Sequence, residues 1–248
     1  MTKTDKITFF SLIFVLSLAS AITIFLPMGH FLPSNQHYPI SKPILAIISF
    51  LLVFFFYGGL GYVGLLLSKH INIPSLWSSK INNKQRFVFP AIAGVLSGFI
   101  LIIGDKIFSF FHTLGKLPHP PFPTSFVASL SAGIGEELIF RLFFISFWAW
   151  ILTLIFKKGS KNLIFWILAI FSALLFSAGH LPSVLIILHL TSIQQIPSAI
   201  MIEIFVLNST VALVSAYYFK KAGYLAAIGV HFWADIIWHV LYGSIGGF

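Results

Sequence analysis

Between Ile7 and Leu26 the chain runs about 20 residues without a charged side chain, the length that carries an α-helix across a ~30 Å hydrocarbon layer. Further apolar stretches follow at Pro43–Leu67, Phe87–Ile103, Thr124–Phe156, Leu163–Gly179, Ile196–Phe219 and Tyr224–Tyr242. In lipid every backbone N–H and C=O must be satisfied within the protein, which leaves helices and closed barrels. The alternating pattern of barrel strands is absent. Charged residues make up 8% of the chain, against ~25% in a soluble domain. The expected fold is therefore all-α: a polytopic membrane helix bundle of about 7–8 transmembrane helices, forming a single integral membrane domain over residues 1–248. An eighth helix would come from splitting the long fourth stretch or from a break in the fifth at Pro182. Ala19-Ser20-Ala21 has the small residues of a signal-peptide cleavage site. The apolar run continues past it to Pro27, so it is expected to stay as the first span.

The 15 Lys and Arg residues are unevenly placed. One set of alternate loops and span ends holds Lys3, Lys6, Lys69, Lys80, Lys84, Arg86, Lys157, Lys158, Lys161, Lys220 and Lys221. The other holds only Lys42, Lys106 and Lys116, and Arg141 falls inside the fourth span. The asymmetry predicts a multi-pass protein with a cytoplasmic N-terminus. The net charge of +9 is an orientation signal rather than a nucleic-acid footprint, so no nucleic-acid partner is expected. The absence of cysteine excludes disulfides, thiolate metal sites, a cysteine nucleophile and S-palmitoylation.

Charge at membrane depth costs roughly 2.5–3.5 kcal/mol per residue on insertion scales, so it needs partners or a task. Glu136, Glu137 and Arg141 share the fourth span. Four residues apart on a helix, Glu137 and Arg141 fall on one face and are expected to pair. Glu136 points about 100° away, which leaves it as the spare carboxylate. The fifth span ends in Phe176-Ser177-Ala178-Gly179-His180, and the seventh carries His231 and Asp235 four apart, with His239 continuing the stripe. Read singly, the His231/Asp235 pair fits a hydrogen-bonded core pair, half a metal site or part of an active site.

Taken in order, Glu136-Glu137-x-x-x-Arg141, Phe176-x-x-x-His180 and His231-x-x-x-Asp235 resemble the three motifs of the CAAX protease and bacteriocin-processing family of intramembrane glutamate proteases. That family includes the Ras-converting CAAX endopeptidases. The resemblance covers a catalytic core at about residues 124–242. It implies hydrolysis of a peptide bond in a membrane-associated or C-terminally lipidated, CAAX-type protein, or in a leader or bacteriocin-type peptide. Glu136 and His180 would activate water, His231 and Asp235 would organise the oxyanion, and Glu137 and Arg141 would support the geometry. Asp235 departs from the asparagine typical of the eukaryotic-type and archaeal enzymes. As an ionised carboxylate it has no proton to donate, so its expected task is to fix the His231 tautomer.

No cofactor is expected. The alternative is zinc on Glu136, His180, His231 and Asp235, although no His-Glu-x-x-His helix is present. A catalytically idle scaffold, a bacteriocin self-immunity protein and a small transporter are the competing readings of the same residues. The expected partners are the bilayer and a peptide or lipidated protein substrate. Counted at 1.5 Å per residue, Glu136 and His231 fall near the midplane, whereas His180 lies ~25 Å along its span, nearer the opposite face. Glu203 is expected to be structural. Asn208, Ser209 and Thr210 are expected to be interhelical glue, and Gly58, Gly59, Gly61 and Gly64 a packing face.

Overall fold

In a computed structural model the chain is described over residues 2–31, 40–156 and 160–245. The basic residues Lys157 and Lys158 and residues 32–39 of the first loop lie outside the described residues. Among the described residues seven helices are long and apolar enough to cross a membrane: α1 Lys3–Thr23, α2 Lys42–Ile71, α3 Lys84–Phe108, α4 Thr124–Ile155, α5 Lys161–Ile187, α6 Ser198–Ala222 and α7 Tyr224–Ile245. No strand occurs among the described residues.

Helix α1 starts ahead of its apolar run because Thr2 and Asp5 form a reciprocal capping box. The second carboxylate oxygen of Asp5 accepts from the Trp77 backbone N–H at 3.0 Å, which ties the start of α1 to the α2–α3 loop. Helix α3 likewise begins three residues early. Arg86 is buried there, donating to the carbonyls of Ser78 and Ile81 and lying 4.7 Å from the Trp77 ring centre.

Helix α4 is one continuous rod of 32 residues, longer than a bilayer needs. It rewinds instead of breaking: directly after Glu137 it becomes π-helical over Leu138–Ile145. Helix α7 does the same after Asp235, over Ile236–Tyr242. Such π turns are frequent at functional sites, although this chain also has them at Val53–Tyr57 and Lys84–Val88. Helix α5 does break. Its first part ends at Ala178, a turn holds Gly179 and His180, and a short helix Leu181–Ile187 follows with Pro182 in its first turn.

Helix α7 is the centre of the bundle, packed on α3, α4 and α6. A single residue, Gly223, joins it to α6. Its φ of +87° suits glycine, and a side chain there would meet the Pro74 carbonyl oxygen at 2.6 Å. Where α3 crosses α7, a methyl on Gly94 would collide with the backbone carbonyl of Val230. Backbone cannot swing aside, so Gly94→Ala is expected to lower stability by about 1–3 kcal/mol in a detergent melt. Gly59→Ala, with nothing within 4 Å, is expected to leave the melt unchanged.

Candidate active site

Glu136 and Glu137 are neighbours with opposite fates. The Glu137 side chain is fully buried. One oxygen stands 3.2 Å from Arg141 Nε, and the other accepts from His231 Nδ1 at 2.8 Å. The Glu136 side chain is 38% exposed and lines a cavity of about 540 Å³. Its nearest charged neighbour is His231 Nε2, at 3.7 Å. The helical offset that put Glu137 and Arg141 on one face thus leaves Glu136 turned to open space.

His231 is held by both rows of acids. With Nδ1 committed to Glu137, its Nε2 faces Glu136 and, at 3.6 Å, Asp235. The tautomer-fixing partner is therefore Glu137 rather than Asp235. A carboxylate already paired with Arg141 accepts the Nδ1 proton, while one turn along α7 brings Asp235 to the other ring nitrogen. Asp235 itself lines the cavity.

His180 reaches the same cavity in spite of its place at the end of the first part of α5. Its side chain folds back, and Nδ1–H donates to the Phe176 carbonyl at 2.9 Å. A carbonyl only accepts, so Nδ1 carries the proton and Nε2 is the basic nitrogen of the neutral ring. Side chains lean toward the N-terminus of their helix, which lowers the imidazole toward Glu136 and His231. The Phe176 ring is the shared wall. Its centre lies 4.9 Å from the His180 ring, 5.5 Å from the His231 ring and 4.8 Å from the Arg141 guanidinium. The spacing Phe176-x-x-x-His180 thus joins the ion pair to both histidines.

Tyr57, Asn208 and His239 are among the residues that line the cavity without belonging to a motif. Asn208 donates to the Ile204 carbonyl of its own helix at 2.8 Å, so the interhelical bond of this run comes instead from Ser209, 3.0 Å from Ser177. His239 Nδ1 lies 3.1 Å from Nδ1 of His119, in the loop between α3 and α4. Burial holds the His119 imidazole down at about 4, so it is neutral and one ring donates to the other.

The same loop is fastened by a second buried polar group. His112 Nε2 lies 2.7 Å from Glu203, and Asp105 accepts from the Leu117 N–H at 2.7 Å. The other oxygens of these two buried carboxyl groups, Asp105 Oδ2 and Glu203 Oε1, have no hydrogen-bond partner among the described residues. Glu203 is thus a structural anchor whose histidine partner comes from a loop.

Among the described residues no three His, Asp or Glu side chains are grouped to hold a metal ion. The four candidate zinc donors share a cavity without forming such a set.

Residues 118–237 match the family described as Type II CAAX prenyl endopeptidase Rce1-like. The match spans 120 of the 248 residues, just under half of the chain. The family described is one of CAAX prenyl endopeptidases, and the matched segment contains all three motifs. It starts in the loop that carries His119 and ends two residues beyond Asp235. No curated protein and no solved structure matches the chain.

Proposed function

We propose that the chain is an active endopeptidase that hydrolyses a peptide bond of a membrane-associated polypeptide, using water activated by Glu136 and His180. One observation carries this reading. Of two adjacent glutamates, one is consumed by Arg141 and His231 inside the bundle, and the other opens on a cavity shared with two histidines. Glu136 takes a proton from water as the oxygen attacks the scissile carbonyl carbon, with His180 Nε2 as the second acceptor. The C–N bond then breaks, and the proton held by Glu136 passes to the leaving amine. His231, as an imidazolium that gives its Nδ1 proton to Glu137, donates from Nε2 to the developing oxyanion, together with Asp235 in its protonated form. The substrate is a membrane-associated or C-terminally lipidated peptide, or a leader-type peptide, and no metal takes part.

The test is a comparison of new peptide termini, by mass spectrometry, from membranes expressing wild type or Glu136→Gln, with and without a zinc chelator. Termini that need Glu136 and ignore the chelator are the expected result. Loss with the chelator would transfer the chemistry to a metal, and no difference between the two proteins would make the chain an idle scaffold or immunity protein.

Asp235 offers a sharper check on the oxyanion role. To donate it must be protonated, so activity falls as pH rises through its titration. Asp235→Asn supplies an N–H donor at every pH. It is expected to keep activity within about tenfold of wild type and to flatten the alkaline limb, while Asp235→Ala loses about 10²–10³-fold, the usual effect of removing an oxyanion donor. If Asp235→Asn is as inactive as Asp235→Ala, Asp235 works as an anion instead.

A further inference from the structure

The cavity is closed at one end and open at the other, and the two ends belong to opposite membrane faces. Toward the N-terminal face, the largest apolar cluster of the bundle lies below the Glu137–Arg141 pair. It packs Leu138, Leu142 and Ile145 of α4 against Phe9, Phe165 and Phe219. Tyr224, at the start of α7, is buried in the same cluster, and its hydroxyl donates to the Ile134 carbonyl at 2.7 Å. Toward the other face the lining runs out to Thr23 at the end of α1, Phe31 beyond it, Ile187 at the end of α5, and Pro118 and Pro120 in the loop before α4.

Charge marks the two faces differently. Eleven Lys and Arg residues flank the spans on the closed face and three flank them on the open face. Arg86 is buried and committed to backbone carbonyls. Setting it aside leaves ten against three. Lys and Arg in short loops stay on the cytoplasmic side during insertion, so the closed face is cytoplasmic.

We infer that the catalytic cavity opens away from the cytoplasm, so that the bonds it reaches lie in exported or membrane-anchored polypeptides, in segments on the outer side of the bilayer. The substrate part rests on the endopeptidase reading, whereas the direction of the opening rests on packing and charge alone. A cytosolic protein lipidated at its C-terminus would meet the apolar floor of the bundle, not Glu136.

The chain has no cysteine, so single cysteines report their side without background. Thr113→Cys and Ser244→Cys are exposed on the open face, and Ser79→Cys is exposed on the closed face. In intact cells a membrane-impermeant maleimide is expected to label the first two at least tenfold more than the third, which reacts only after permeabilisation. Ser183→Cys, on the cavity wall, is expected to react with an impermeant thiosulfonate added outside. Labelling of Ser79→Cys in intact cells with protection of Thr113→Cys and Ser244→Cys would overturn the inference, as would reaction of Ser183→Cys only after permeabilisation. Labelling is blind to activity, so this failure and failure of the endopeptidase reading are told apart. The substrate part is checked by mapping the Glu136-dependent termini, which are expected in segments outside the cytoplasm. Termini confined to cytoplasmic segments would overturn it.

Discussion

Glu136→Gln is expected to lower peptide hydrolysis by about 10²–10⁴-fold, the range lost when a general base is removed. The thermal melt is expected to move by no more than ~0.5 kcal/mol. The two halves of this expectation have separate grounds. Glutamine keeps the shape but has no carboxylate to take a proton from water. The fold does not depend on the charge, because among the described residues Glu136 Oε2 has no hydrogen-bond partner and stands 3.7 Å from His231 Nε2. Purified wild type and variant, compared on a peptide identified from the membrane experiment, give both numbers. A variant that loses activity and stability together would place Glu136 in the framework instead.

Arg141→Met is expected to do the reverse, costing about 3–5 kcal/mol of stability, because it strands a buried carboxylate. Arg141 and Glu137 are 1% and 0% exposed. Removing the guanidinium leaves the Glu137 charge with only the His231 Nδ1 contact and strips the cation from the face of Phe176. Activity is expected to fall with it, because Glu137 and Phe176 position both histidines. The double variant Arg141→Met/Glu137→Gln separates the effects. Glutamine still accepts from His231 Nδ1 but carries no charge, so more than half of the lost stability is expected to return. Chemical unfolding in detergent measures the cycle, and additive losses would contradict the assignment.

The seven spans are legible in the sequence because lipid imposes length and hydropathy on a helix whatever its neighbours do. Their ends are less so. Helices α1 and α3 reach further than their apolar runs because a capping box and a buried arginine, respectively, stabilise polar first turns. Of the site, the Glu137–Arg141 face follows from helical spacing. The bond from His231 to Glu137 does not, since it joins residues 94 apart and leaves no local pattern. Counting rise along a helix misplaces His180 for a related reason: it ignores a side chain that folds back on the Phe176 carbonyl. The π-helical stretches after Glu137 and Asp235 have no composition of their own. Tyr57, Asn208 and His239 are ordinary residues of apolar helices until the bundle closes around the cavity.

The central claim, that Glu136 and His180 hold the attacking water while His231 and Asp235 face the oxyanion, is tested most directly by a structure with a peptide aldehyde bound as its hydrate. The two hydroxyls of the hydrate stand for the attacking water and the developing oxyanion. One is predicted to lie about 2.6–3.2 Å from the Glu136 carboxylate and His180 Nε2, and the other beside His231 Nε2 and Asp235. A hydrate bound away from Glu136, or an aldehyde carbon bonded covalently to a side chain, would contradict it.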